Sequence, residues 1–171
     1  MALAKEGFSS SDFQSIIEVW SSVMAHHYPF SIRWSGNTLS EDYSRDATLS
    51  APKKGEVLGS SAPEYKGDAS RWNPEDLLGS ALGLCHMLTF LALAHKSRIE
   101  VKHYEDQALS VLDTFEKGFA ITEVHLCPTI TLGAGADTVK AHELFEKAHK
   151  YCFVANSIKS KVVMRPTFLE S

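Results

Sequence analysis

Cysteine is scarce in this chain, three in 171 residues. So small and odd a number cannot build the disulfide framework of a secreted domain, and a reducing compartment, the cytoplasm, is expected. Basic residues are also in short supply. With 17 Lys and Arg against 21 Asp and Glu, the net charge is −4, and no cationic surface is on offer to displace counterions from nucleic acid. No uninterrupted apolar run of about 18 residues occurs, so no membrane span is expected. Motifs that announce chemistry are missing as well. There is no Cys-x-x-Cys, no His-x-x-x-His and no Gly-x-Ser-x-Gly, and Gly133-Ala134-Gly135 lacks the Lys-Ser/Thr that completes a phosphate loop. Neither a metal nor an organic cofactor is expected. What remains, 44% apolar and 22% charged, is the composition of a globular chain long enough to bury one core.

Two parts are expected, an extension over residues 1–25 and a domain over 26–171. In the extension, Ser11-Asp12-Phe13-Gln14 has capping-box spacing, and Phe13, Ile16, Ile17, Trp20 and Met24 follow at helical intervals. Lys5 is the only basic residue before Arg33, with Glu6, Asp12 and Glu18 interspersed, which suits neither a transit peptide nor a signal peptide. The pattern predicts a docking helix over 12–24. From Tyr28 the period becomes two. Tyr28, Phe30, Ile32 and Trp34 alternate with smaller or polar residues, as in a half-buried strand. Strands are expected again over 43–50 and 55–58, followed by a surface loop from Ser60 to Trp72. Asn73-Pro74-Glu75 then opens a helix predicted to reach Lys96, with Asn73 as cap, Pro74 at the first helical position and Glu75 at the positive end of the dipole. Apolar residues surround that helix on nearly every side, so protein is expected all round it. Strand-like segments follow over 99–112 and 119–127, then a helix from the Asp137 cap to about Asn156, then a strand over 161–166. Strands, helix, strands, helix makes an α+β protein.

Cys85 falls within the first of these helices, Cys152 on the inner face of the second, and Cys127 in a strand before Pro128. A cysteine on an apolar face is ordinarily a small inert hydrophobe. A reactive one needs a cation, a helix amino-end or a histidine nearby, because burial alone disfavours the thiolate. His86 adjoins Cys85 but points about 100° away on a helix, whereas His149 shares a face with Cys152. The residues by themselves leave structural, redox and hydrolytic roles open.

Four strings in order, Tyr43-Ser44-Arg45-Asp46, Arg71-Trp72-Asn73-Pro74-Glu75-Asp76-Leu77-Leu78, Ala81-Leu82-Gly83-Leu84-Cys85-His86-Met87 and Ala148 to Ser157, resemble the OsmC/Ohr family of osmotically inducible and organic hydroperoxide resistance proteins. The resemblance covers roughly residues 26–166. It implies an intertwined homodimer with curved antiparallel sheets wrapped around central helices. It also implies a thiol peroxidase, free of metal and cofactor, that reduces organic hydroperoxides and is recycled by a dithiol, in some members a lipoylated protein. On that resemblance Cys85 is the peroxidatic and Cys152 the resolving cysteine. Arg45 stabilises the thiolate, Glu75 holds Arg45, and Leu82, Met87, Leu88 and Phe153 favour a greasy substrate. A dimeric small-molecule or lipid-binding protein of the same fold, catalytically silent or redox-sensing, is the alternative. Glu75 and Cys85 lie ten residues apart, about 15 Å along one helix. Either the helix breaks near Gly79-Ser80, or Glu75 acts through Arg45, or it serves the Cys85 of a second subunit.

Overall fold

The computed structural model describes residues 25–171, so the helix expected over 12–24 lies outside them. The described chain runs β1 (Ser31–Arg33), β2 (Ala47–Ser50), β3 (Val57–Gly59), α1 (Pro74–Lys96), β4 (Val101–Asp106), β5 (Leu109–Phe115), β6 (Gly118–Leu126), β7 (Pro128–Leu132), α2 (Thr138–Tyr151), β8 (Lys161–Met164) and β9 (Thr167–Glu170). Three three-stranded sheets result, ordered β1-β2-β3, β4-β7-β9 and β5-β6-β8. The α+β expectation holds. The sheets are not wholly antiparallel, because β8 runs parallel to β6 and β9 parallel to β7.

Helix α1 begins and ends where its caps place it. The Asn73 side chain accepts from the Asp76 amide at 2.7 Å, and the Asp76 carboxylate accepts from the Asn73 amide, a reciprocal box. Pro74 needs no partner at the first position. The strands are less local. The segment over 99–112 divides at Gln107-Ala108 into β4 and β5, which belong to different sheets. Strand β6 stops at Leu126, so Cys127 lies between strands, its amide bonded to Asp106 Oδ1 at 2.8 Å. Strand β7 follows at once from Pro128, and β9 resumes after Pro166; neither was expected. At both places the chain leaves one sheet and enters the next at a proline, which lacks the amide to continue a ladder.

The core has two parts. Phe90, Ala94, Ile130, Leu132, Ala141, Leu144, Phe145 and Ala148 form the larger, between α1, α2 and β7. Leu82, Val124, Leu126 and Cys152 form the smaller, under β6. Gly79, Leu82, His86, Phe90 and Ala94 mark the buried line of α1. By length and mean hydropathy, 1.9 over its apolar window, α1 could cross a membrane; here it is the helix on which α2 and strands of both longer sheets pack. Its opposite side is not covered by the described residues, and Leu84 and Leu88 are each 55% exposed. The β1 alternation is likewise uncovered, with Tyr28 80%, Phe30 64% and Ile32 63% exposed. Residues patterned for burial thus lie bare on a single copy.

Candidate functional site

Two helices bring two thiols together. Cys85 stands midway along α1, on the face it shares with Ala81, Leu88, Thr89, Ala92 and Lys96, while His86 turns inward and is fully buried. Helix α2 ends at Tyr151, earlier than the expected Asn156. Its C-cap is Cys152, extended at φ −72° and ψ 114°, with its amide on the His149 carbonyl at 3.3 Å. Leaving the helix carries the Cys152 side chain into the smaller core, where it is fully buried with Cys85 packed against it. The chain then turns tightly, held by Asn156 N–H to the Cys152 carbonyl at 3.1 Å and by the Ser157 hydroxyl to the Phe153 carbonyl at 2.8 Å.

That turn aims consecutive amides at sulfur. Phe153 and Val154 donate their N–H groups to Cys85, and Ala155 donates to Cys152 Sγ at 3.4 Å. Burial by itself pushes the Cys85 thiol up. Hydrogen bonds from the Val154 amide, the Cys152 thiol and the Phe153 amide outweigh it and hold Cys85 below the ordinary thiol value. Thr89, one turn along α1, donates its hydroxyl to the Cys85 carbonyl at 2.8 Å. Cys152 moves the opposite way. Burial raises it first, and its hydrogen bond to Cys85 raises it again, with the Ala155 amide offsetting only part. Cys85 therefore ionises first, and Cys152 remains the protonated donor beside it.

Cys85 opens into an apolar groove of about 840 Å³, lined by α1, by Lys147 and Tyr151 of α2, and by Phe153. Leu88 and Phe153, two of the residues the resemblance put beside a greasy substrate, are in that lining. Leu82 is instead core, and Met87 faces another cavity, beside Trp72 and Tyr104. Thr89, Tyr151 and the lysines at the far end were not singled out in the sequence. Their signal was present, since residues 81, 85, 88, 89, 92 and 96 share one helical stripe.

Arg45 and Glu75 are not brought to Cys85 within one chain. Arg45 donates to the Tyr43 carbonyl at 3.0 Å, and its guanidinium lies 4.3 Å from the centre of the Tyr43 ring. Glu75 lines a separate cavity with Tyr65, Asn73 and Phe119, and its Oε2 is buried without a hydrogen-bond partner. Helix α1 is unbroken across Gly79-Ser80, so a break there does not bring Glu75 closer. Among the described residues no group of three or more His, Cys, Asp or Glu is placed to hold a metal ion.

Comparison with known proteins bears on this arrangement. A family model described as OsmC-like protein matches residues 67–166. An OsmC-like protein of unknown function from Vibrio cholerae has a solved structure similar to this one, with a TM-score of 0.77 at 27% identity over 83% of this chain and 99% of that one. A solved organic hydroperoxide resistance protein from Elizabethkingia anophelis is similar in fold, with a TM-score of 0.64 at 18% identity over 86% and 98% of the two chains. In sequence, the chain is 22% identical over 147 residues to the uncharacterized protein YmaD of Bacillus subtilis, covering 82% of this chain and 91% of that protein.

Proposed function

The chain belongs to the OsmC-like protein family, and on that premise we propose that it is a thiol-dependent peroxidase that reduces organic hydroperoxides to alcohols. The observation that carries the reading is the unequal pair. A thiol held below its ordinary pKa, at the wall of an apolar groove, is hydrogen-bonded by a second, buried thiol. The Cys85 thiolate attacks the terminal oxygen of RO–OH, the O–O bond breaks, and the departing alkoxide takes a proton to become the alcohol. Cys85 is left as a sulfenic acid. The Cys152 sulfur then bonds to the Cys85 sulfur, its proton leaving with the hydroxyl as water, and an external dithiol reduces the disulfide.

Arg45 and Glu75 complete the site in a homodimer. Because α1 is continuous, Glu75 stays away from the Cys85 of its own chain, and its unpartnered buried oxygen is the kind of group a partner's cation would satisfy. The bare faces at β1 and α1 give that second copy a surface to cover. In this arrangement Arg45 polarises the peroxide and stabilises the thiolate, and Glu75 fixes the guanidinium.

The groove also favours a second reading, binding of an apolar molecule without turnover, and one experiment separates the two. Consumption of cumene hydroperoxide and of hydrogen peroxide is followed with dihydrolipoamide for wild type, Cys85→Ser and Cys152→Ser. Turnover that prefers cumene hydroperoxide and is lost in Cys85→Ser supports the peroxidase. No turnover by the reduced, folded protein removes that reading and leaves the binding protein. For the shared site, mixed dimers of Glu75→Ala and Cys85→Ser subunits are expected to recover activity that neither variant has alone.

A further inference from the structure

We propose that His86, buried as a neutral imidazole between α1 and α2 against Phe145 and His149, positions Cys152 against Cys85, and that acid separates the two thiols by charging His86. The purpose of such a joint rests on the peroxidase reading, but its test does not. His86 is fully buried on α1, one residue from Cys85. Neither of its ring nitrogens has a hydrogen-bond partner. Its ring lies 4.5 Å from that of Phe145 and 6.5 Å from that of His149, both on α2. His149 has a buried, unpartnered Nδ1, and its carbonyl accepts the amide of Cys152. His86 thus follows the residue that carries the first thiol, and its ring packs on the last turns of the helix whose C-cap carries the second.

Buried polar atoms without partners are rare, and each asks for an explanation. A neutral imidazole in such a place costs a hydrogen bond, whereas a charged one costs far more. Burial first, and the neighbouring His149 second, push His86 down to about 4. Of the elements packed on α1, α2 contributes His149. The carboxylates of the strands are engaged elsewhere, Asp106 of β4 with the Cys127 amide and Glu123 of β6 with Lys161 and His125. None of them offsets a charge on His86.

The sign follows from linkage. His86 is held below the ordinary imidazole value of 6.5. The closed joint is thus fully stable above that pH and loses stability as pH falls towards the lowered value, by about tenfold in the opening equilibrium per pH unit. Acid turns the helices apart and takes Cys152 away from Cys85, without any change at the thiols themselves.

Cys152 is fully buried, so its reaction with a thiol reagent reports opening of the joint. The test uses Cys85→Ser protein and 4,4′-dithiodipyridine, with Cys152 followed by peptide mass spectrometry and each rate divided by that of glutathione at the same pH. The expected result is a rise of about tenfold between pH 6.0 and 5.0, absent when His86→Phe is added. An equal rise in the His86→Phe protein overturns the proposal. Should that variant fail to fold, His149→Phe decides: removing the second charge raises His86, so the total gain from pH 6.5 to 4.5 is smaller than with His149, and an undiminished gain overturns the proposal. No hydroperoxide enters this measurement, so its outcome is independent of whether the protein turns one over.

Discussion

The two thiols are set apart by their surroundings. Both are partly or wholly out of water and both receive backbone amides, but within the pair Cys85 accepts the hydrogen bond and Cys152 gives it. Alkylation by iodoacetamide should therefore show a lower pH midpoint for Cys85 than for Cys152, resolved by peptide mapping. Leu82, fully buried against Cys152 and Val124, belongs to packing, and Leu82→Ala should cost about 2–5 kcal/mol in denaturant unfolding. At this scale the cysteines were legible, because side-chain identity and neighbouring strings mark them. The amide donors of 153 and 154 were not, since a backbone N–H has no letter and its direction is known only once α2 has ended at Tyr151. For Arg45 and Glu75, matching letters gave positions, but a single chain leaves one on Tyr43 and the other unpartnered.

Elements whose ends are decided by adjacent residues were readable, and those decided by distant ones were not. Helix α1 starts at an Asn-Pro pair and matched its expected span, since capping needs only the first turn. Asn73→Ala should cost about 1 kcal/mol, read as a lower denaturation midpoint at unchanged slope. The loop from Ser60 to Trp72 was read as surface, but its closure was not foreseen. Ser60 N–H meets the Trp72 carbonyl at 3.0 Å, and its hydroxyl links Asp46 to the Asp68 amide. Gly67 lies so close to Ser61 that a Cβ would overlap the Ser61 carbonyl. Gly67→Ala should therefore destabilise by about 1–3 kcal/mol, because the obstacle is backbone and cannot rotate away. Strands β4 and β5 read as one run in the sequence because both alternate; the sheet each joins is chosen by β7 and β6, which come later.

For the whole molecule, the single copy is incomplete by its own pattern. Apolar residues at β1, together with Leu84 and Leu88 on α1, keep the periodicity of buried faces while remaining bare, and patches of that kind mark association surfaces. Sedimentation at micromolar concentration should give a dimer, and Ile32→Asp with Leu88→Asp should shift it to monomer with loss of any activity that needs Glu75 from the neighbouring copy. The sequence pattern is that of a helix surrounded by protein, whereas the described residues cover only one side of α1. The parallel strands β8 and β9 add a consequence in time. Each pairs with a strand more than thirty positions upstream, as with Lys161 on Glu123 and Thr167 on Thr129. Contacts of such separation close slowly, because the loop must be ordered before the pairing rewards it. The β5-β6-β8 sheet cannot be finished until Met164 has left the ribosome, nor the β4-β7-β9 sheet until Glu170, so the apolar α1, made some seventy residues earlier, waits exposed. During synthesis, the domain is at its most aggregation-prone just before these last strands emerge.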